Sequence, residues 1–371
     1  MSKKIIALGG DGIGPEVIDA TVWLLEQMNI SGLEITKGLI GEEAIKEYNS
    51  AFPKETREMI DSSDAILFGA VEEKSTLVLA YLRWGLDNFA NVRPVKYYDG
   101  TPSPLKDPEG IDFVFIRENL EGMYACVGRE GKIEKLAKKG LMRKDDLERY
   151  GDKAFYGTRI ISRRESERVG RFACELAMKR KSRGSPGKLT IVHKSNVMRM
   201  QDGLFKDTIY KVAEEEFSEL EVDDYYVDDM ARRILRYPTD FDVVVIPNMM
   251  GDILSDMAAE LVGGLGMAAS GLFGPNIPYF EPIHGSAPKY AGLGVANPVA
   301  TILSSVMMLD YLGFEAEAKK LEDGVAALVS EAKDVEKNYA SLPRDLVPDS
   351  YREQKKFAGT MQVAEEIFKR M

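Results

Sequence analysis

Three arginines, three aspartates, a lysine and a tyrosine have the types and contexts for chemistry on a small acid. Arg83, Arg93 and Arg117 stand in Leu82-Arg83, Asn91-Val92-Arg93-Pro94 and Ile116-Arg117-Glu118-Asn119. Arg117 follows an apolar run that reads as a strand, so it belongs at a strand's carboxyl end, where α/β proteins bind ligands. Guanidinium groups grip carboxylates bidentately, and three that converge would hold a dicarboxylate or tricarboxylate. Each taken alone reads more simply as a surface salt bridge. Asp252 and Asp256 lie in Gly251-Asp252-Ile253-Leu254-Ser255-Asp256, and Asp228 in Tyr226-Val227-Asp228-Asp229-Met230. If its segment is helical, Asp252 shares a face with Asp256 one turn on. Carboxylates without histidine or thiolate suit a hard divalent cation, Mg²⁺ or Mn²⁺. The plainer alternative makes Asp252 a helix cap and Asp256 a solvated side chain. Lys194, in His193-Lys194-Ser195-Asn196, ends another apolar run, and Tyr124 comes seven residues after Arg117. Both could move protons, or both could be structural hydrogen-bonding groups.

The chain has only two histidines, His193 and His284, which excludes a multi-histidine metal site and most histidine-based triads. Proton transfer must therefore use Lys, Tyr, Asp or Glu. Two glycine-rich loops stand out. Gly10, Gly12 and Gly14 follow an apolar strand but do not match the G-x-G-x-x-G dinucleotide fingerprint, and Asp11 between them would sit close to any phosphate. The second runs from Glu281 through Pro282-Ile283-His284-Gly285-Ser286-Ala287-Pro288-Lys289-Tyr290 to Ala296-Asn297-Pro298. Its small residues would let backbone approach an anionic cofactor closely.

Positioning these groups calls for an α/β scaffold. Lys3–Leu8, Ala65–Ala70, Asp112–Ile116, Leu189–His193 and Asp242–Ile246 read as buried strands separated by helical segments, as in a mostly parallel sheet covered on both faces. Helices are expected over Glu16–Met28, Ala296–Leu312 and Met361–Lys369. Residues 129–168 are crowded with charge and broken by glycines, as in an exposed excursion or an intersubunit clasp. The length of 371 residues suggests two domains. The net charge of −11 argues against nucleic acid and anionic membrane as partners. Cys126 and Cys174 read as buried thiols of a reducing compartment. No leading apolar segment and no run of ~18 apolar residues is present, so a cytoplasmic protein is expected.

Six separated motifs together resemble the β-decarboxylating 2-hydroxyacid dehydrogenases, the isocitrate and isopropylmalate dehydrogenase family. They are Gly10-Asp11-Gly12-Ile13-Gly14-Pro15-Glu16, Ala90-Asn91-Val92-Arg93-Pro94, Arg117-Glu118-Asn119 through Tyr124, Lys194-Ser195-Asn196, Gly251 through Asp256, and His284-Gly285-Ser286-Ala287-Pro288. The resemblance implies a two-domain α/β fold with a mixed, mostly parallel sheet. Residues 1–109 and 263–371 would form a nucleotide-binding domain. Residues 110–262 would form a smaller dimerisation domain carrying an arm-like insertion at about 129–168. It implies that Arg83, Arg93 and Arg117 bind the malate carboxylates, and that Asp252 and Asp256 hold Mg²⁺ or Mn²⁺ with Asp228 of a second subunit. Lys194, also from that subunit, would assist removal of the C2-hydroxyl proton, and Tyr124 would protonate the enol left after CO₂ departs. Ile13, Glu281, His284 to Tyr290 and Asn297 would cradle NADP or NAD, replacing the missing fingerprint. A homodimer or larger assembly of dimers follows from the shared sites. A non-catalytic regulatory subunit of the same fold, a remote alternative, would be expected to lack one of these groups.

Substrate and nucleotide hang on few positions. Isocitrate enzymes of this family place Ser and Asn six and four residues before the first arginine, where this chain has Leu77 and Leu79. Leucine cannot satisfy a buried carboxylate, so 3-isopropylmalate or another 3-alkylmalate is the expected acid, with Leu79 beside its side chain. The stretch Arg93 to Gly100 looks closer to D-malate and tartrate enzymes, and His193 to Met198 closer to isocitrate enzymes; D-malate/tartrate and isocitrate/homoisocitrate dehydrogenases are the alternatives. Lys289-Tyr290 stands where NAD-using members carry aspartate, and resembles NADP-using isocitrate dehydrogenases. A lysine attracts a 2′-phosphate that an aspartate would repel. Tyr351 and Lys355 are candidates to complete that pocket.

Overall fold

A computed structural model describes residues 2–126, 130–150 and 153–371, apart from the side chains of Cys126 and Lys144. The expectation for the Cys126 thiol, and that part of the charged segment at Arg129, Gly151 and Asp152, lie outside the described residues.

The strands are β1 (Lys3–Gly10), β2 (Leu33–Gly38), β3 (Ala65–Ala70), β4 (Ala90–Lys96), β5 (Asp112–Glu118), β6 (Gly131–Lys132), β7 (Phe155–Tyr156), β8 (Lys188–His193), β9 (Glu221–Tyr226), β10 (Val243–Ile246), β11 (Ala269–Phe273) and β12 (Tyr279–Pro282). Ten of them form one sheet in the order β2-β1-β3-β12-β11-β4-β5-β10-β8-β9. The flanks are parallel. The centre is antiparallel at the junctions of β12 with β11, β11 with β4 and β4 with β5. The two flanks therefore run in opposite directions, and the carboxyl ends of β1 and β5 point to opposite edges of the sheet.

Side-chain alternation along the strands assigns each face to its own helices. In β1, Ile5 and Ala7 join a cluster with the helices Gly14–Gln27, Val299–Leu312, Glu315–Ser330 and Thr360–Phe368, while Ile6 and Leu8 face a second cluster with Val78 and Leu82. In β5, Val114 and Ile116 pack under the helices Arg163–Ser182 and Arg199–Glu216, while Phe113 and Phe115 pack under Val227–Arg236 and Asn248–Ala259. β3 and β10 are buried throughout because both of their faces are covered.

Several elements differ from expectation. β4 was hidden by Pro94, which the sheet accepts because β11 pairs only with Ala90, Asn91 and Val92, leaving that side of β4 free at the proline. β9, Glu-Val-Asp-Asp-Tyr-Tyr, is an edge strand with a polar sequence. The helix after the second glycine loop begins at Val299, since Pro298 stands at its N-cap. The charged segment holds the small β6–β7 ladder and the short helices Glu134–Lys138 and Lys144–Tyr150. It ends before 168: residues 163–168 are the first turns of the long helix Arg163–Ser182, capped by the Ser162 side chain on the Glu165 N–H.

Candidate active site

Arg93 and Arg117 are not loop residues. They lie within β4 and β5, on the sheet face that also carries the helix Asn248–Ala259. Arg83 comes from the helical segment after β3. That segment opens at Tyr81–Gly85 into a wide turn, with the Leu86 N–H on the Tyr81 carbonyl and the Asn88 N–H on the Arg83 carbonyl. Wide turns of this kind recur at functional sites. The three arginines are 7%, 6% and 2% exposed for Arg83, Arg93 and Arg117, so none is a surface salt bridge.

The aspartates sit on the facing helix. It begins at Asn248 after Pro247, so Asp252 is inside the helix and not its cap. Asn248, Asp252 and Asp256 follow at four-residue intervals on one face. The Arg93 guanidinium is 3.2 Å from both Asp252 and Asp256 and donates to the Ser255 hydroxyl at 2.7 Å. Arg117 pairs with Asp252 and donates to the Asn248 side-chain oxygen Oδ1 at 2.7 and 3.1 Å. The Tyr124 hydroxyl donates to Asp252 at 2.5 Å, and its ring lies 5.0 Å from the Arg117 guanidinium and 5.7 Å from that of Arg83.

This charge balance tunes each group. Burial alone would raise the Asp252 carboxyl, but Arg117, Arg93 and the Tyr124 hydroxyl hold it below the ordinary range. Burial raises Asp256. Burial and the Asp252 carboxylate raise the Tyr124 phenol, which is therefore a neutral acid at neutral pH. Burial and Arg93 push the Arg117 guanidinium down to about 10, still protonated at neutral pH. Arg83 Nε and Arg93 Nε are buried and find no partner among the described residues. Buried donors of this kind are costly unless a ligand meets them, and a carboxylate supplies that acceptor.

Lys194 and Asp228 form a second group. Lys194 follows β8 and its Nζ pairs with Asp228 at the start of the helix Val227–Arg236, an ion pair that lowers the Asp228 carboxyl. The turn is held by Asp202, fully buried, which accepts the Lys194 N–H at 2.7 Å. Asp228 does not join Asp252 and Asp256: among the described residues no three potential metal ligands come together.

The two glycine loops dock backbone to backbone. Gly10 and Gly12 have φ of +84° and +60°, and a Cβ on Gly12 would lie 2.0 Å from the Ser286 carbonyl oxygen. That approach lets the Ile13 N–H donate to the same oxygen at 2.8 Å. Asp11 is buried between the end of β1 and the segment after β3. Its carboxylate accepts the Glu72 and Ser75 N–H groups at 3.0 Å each and starts the segment that carries Arg83. Glu16 accepts the Ala296 N–H at 3.0 Å and the Thr360 hydroxyl at 3.0 Å, tying both loops to the C-terminal helix. Gly285 and Pro288 are exposed on the second loop, and Ser286 is buried. Ala287 adopts φ +38°. Tyr290 packs with Ile13, Val17, Ala287 and Ala296. Buried atoms here also find no partner among the described residues: His284 Nε2 and Asn297 Nδ2. Burial lowers the His284 imidazole, keeping it neutral, and raises Glu281 to about 7.

Leu79, four residues before Arg83, is half-buried against the Ile6 and Leu8 cluster, whereas Leu77 is exposed. Tyr351 does not reach Tyr290. It packs on Tyr339 at 5.7 Å between ring centres, with Lys356 beside both. Arg344 takes that place, 4.9 Å from the Tyr290 ring on which Lys289 also lies at 4.8 Å. Asn248, Ser255 and Arg344 were missed. The four-residue step back from Asp252 would have found Asn248, whereas Arg344 lies 54 positions from Tyr290 with no local signal. A cavity of about 880 Å³ lies elsewhere, on the opposite sheet face, lined by Val92 and Pro94, the neighbours of Arg93 that alternation turns away, and by Val114 of β5.

Buried arginines opposite a paired-carboxylate helix, a neutral tyrosine between them and a glycine-loop cradle without the usual fingerprint define a nucleotide-dependent decarboxylating dehydrogenase of hydroxy acids. Residues 4–367 match the family described as isocitrate/isopropylmalate dehydrogenase, and the chain belongs to it. It is 44% identical to the 3-isopropylmalate/3-methylmalate dehydrogenase of Methanocaldococcus jannaschii, over 88% of this chain and 91% of that one. It is 42% identical to the isocitrate/homoisocitrate dehydrogenase of Thermus thermophilus, over 88% and 90%. The solved isocitrate dehydrogenase of Methylococcus capsulatus superposes with a TM-score of 0.81 at 32% identity, covering 99% of each chain. The family depends on a nicotinamide nucleotide and a divalent cation and acts on small hydroxy acids. Among the described residues no helix is long and apolar enough to cross a membrane.

Proposed function

We propose that this enzyme oxidatively decarboxylates 3-isopropylmalate or another 3-alkylmalate with NADP and Mg²⁺ or Mn²⁺, as a homodimer with shared active sites. The observation that carries the reading is the set of three buried arginines facing Asp252 and Tyr124, two of them with unpaired Nε donors. Arg83, Arg93 and Arg117 would bind the two malate carboxylates. Leu79 and its apolar neighbours offer no polar partner to a third carboxylate, which disfavours isocitrate. The relatives named for 3-isopropylmalate support the same acid. The histidine–lysine turn at β8 and the relatives named for isocitrate and homoisocitrate favour the second reading.

Asp252 and Asp256, one turn apart and all-oxygen, fit a hard cation, completed by Asp228 from a second copy. Bound groups would supply what no side chain here can: a hydride acceptor, and a Lewis acid at the C2 oxygen. Lys194 of the second copy would take the C2-hydroxyl proton. The neutral Tyr124 phenol would give its proton to C3 of the enol after CO₂ leaves. Lys289 and Arg344, both at the Tyr290 ring, would offer two cations to a 2′-phosphate, which supports the NADP reading. We assign residues 1–109 and 263–371 to the nucleotide domain and 110–262 to the dimerising domain; the separate apolar clusters on the two flanks support that division.

The test is initial rates of nucleotide reduction with Mn²⁺, comparing NADP with NAD on 3-isopropylmalate, D-malate, D-isocitrate and tartrate. Turnover of 3-isopropylmalate with NADP is expected. Clean preference for isocitrate overturns the substrate reading and leaves the catalytic groups standing.

A further inference from the structure

Trp84 touches two segments that build the site without itself reaching Asp252. It follows Arg83 directly, inside the wide turn, and the Arg83 guanidinium lies 5.6 Å from its ring. Its indole N–H donates to the Leu120 carbonyl at 3.2 Å. Leu120 begins the turn that leads from Arg117 to Tyr124. The other bonds of that turn come from its own flank of the sheet or from β4's approach. Glu118 accepts the Leu120 and Glu121 N–H groups at 2.7 and 3.0 Å, Asn248 donates to the Glu121 carbonyl at 3.2 Å, and the Asn119 N–H reaches the Phe89 carbonyl. Two hydrogen bonds join the turn to the segment that carries Arg83: that of Trp84, the one nearer Tyr124, and that of the Asn119 side chain, which donates to the Asn88 carbonyl at 3.0 Å.

We propose that Trp84 is a positioning residue for the proton-delivery step. Its N–H fixes the Leu120 carbonyl relative to Arg83, and so holds the Tyr124 hydroxyl in register with an acid gripped by that arginine. In the step it serves, the Tyr124 O–H bond breaks and its proton forms a C–H bond at C3 of the enolate left by CO₂ loss. The enolate π electrons supply that bond, the C2 oxygen becomes the carbonyl again, and solvent reprotonates the phenolate. Misplacement of the phenol would let solvent protonate C3 from either face. The inference rests on the reading of Tyr124 as that acid.

The experiment compares wild type, W84F, Y124F and the double variant, all as intact enzyme, on 3-isopropylmalate or D-isocitrate in D₂O. It reads KM, kcat and the configuration of deuterium at C3 of the product. W84F keeps a ring on Arg83 and loses only the donor. It is expected to leave KM within about twofold and lower kcat by about three- to tenfold, the scale of one net hydrogen bond. It is also expected to scramble the C3 configuration, and to add nothing in the Y124F background. A W84F enzyme with wild-type kcat and a single C3 configuration overturns the proposal, as does an equal further loss on top of Y124F. A wild-type protein that oxidises neither acid overturns the functional reading and this inference together; an active wild type with an indifferent W84F overturns this inference alone.

Discussion

Gly251 precedes Asp252, and the structure gives a reason for it that a substitution can measure. A Cβ built there lies 2.8 Å from Ile246 Cγ2, 3.0 Å from Arg117 Cγ and 3.1 Å from Arg117 Cβ. Ile246 is fully buried in β10 and Arg117 is 2% exposed, so neither can swing aside. Two effects oppose each other in Gly251→Ala. Alanine gains about 1 kcal/mol over glycine in a helix, and overpacking of a buried contact costs about 1–3 kcal/mol. Net destabilisation is therefore small, about 0–2 kcal/mol. Activity responds more sharply. Relief of the contact must push the Arg117 stem by several tenths of an ångström, and Arg117 carries Asp252 and Asn248 with it. A misplacement approaching 1 Å at a reacting centre is worth about 100-fold, so kcat/KM is expected to fall about 10- to 100-fold. Gly203 is the control: it also sits inside a helix, Arg199–Glu216, and a Cβ there meets nothing within 4 Å. Gly203→Ala should stabilise by up to about 1 kcal/mol and leave rates unchanged. Thermal unfolding and initial rates on the preferred acid read both variants. If G251A melts as high as G203A and keeps kcat/KM within twofold of wild type, the packing argument is wrong.

Four further outcomes follow from the site. Lys289→Asp with Arg344→Ala should lower kcat/KM for NADP at least tenfold while changing that for NAD little; equal losses on both nucleotides would remove the 2′-phosphate assignment. A mixture of K194A and D252N subunits, refolded together, should recover part of the activity that each homodimer lacks, because half-sites combine; recovery of none would argue that each chain builds its own site. Chelation should abolish turnover yet leave the circular dichroism unchanged, since Arg93 and Arg117 already neutralise Asp252 and Asp256; Mn²⁺ should restore the rate. Glu118→Gln tests pH dependence. Burial raises that carboxyl to about 8 from an ordinary 4.5, so the folded protein binds a proton there that the unfolded chain releases. Its contribution is present below pH ~4.5 and lost as pH rises towards ~8, and the variant should show a flatter fall in melting temperature over that window.

What the sequence revealed was chemistry held in local spacing. Asp252 and Asp256 are four residues apart, and helical geometry alone puts them on one face. Lys194 ends an apolar run, and the run is a strand. The glycines at 10 and 12 mark left-handed backbone that the fold uses to bring Ile13 against Ser286. Long-range partnership was not legible. Nothing near Asp11 announces that its carboxylate would be spent on the amides of Glu72 and Ser75. Nothing near Tyr290 points to Arg344. Strands were missed where the period-2 pattern was masked: by a proline in β4, by carboxylates in β9, and by glycine in β11.

The reversal of strand direction at the centre of the sheet explains why the site takes the form it does. In a wholly parallel sheet, ligands collect at one carboxyl edge. Here the carboxyl ends of β1 and β5 lie at opposite edges, so no single edge can hold both the glycine loops and the Arg117 turn. The arginines instead lie on the sheet face, where Arg93 and Arg117 project from β4 and β5. Their neighbours on the other face pack as core. That arrangement ties specificity to alternation: a one-residue register slip in β4 or β5 would turn an arginine into the apolar layer. Burial on this scale is tolerable only while each guanidinium keeps an anionic partner. Asp252 supplies one to Arg93 and Arg117. The Nε atoms of Arg83 and Arg93 have no partner among the described residues, and on the reading proposed above the acid would meet them.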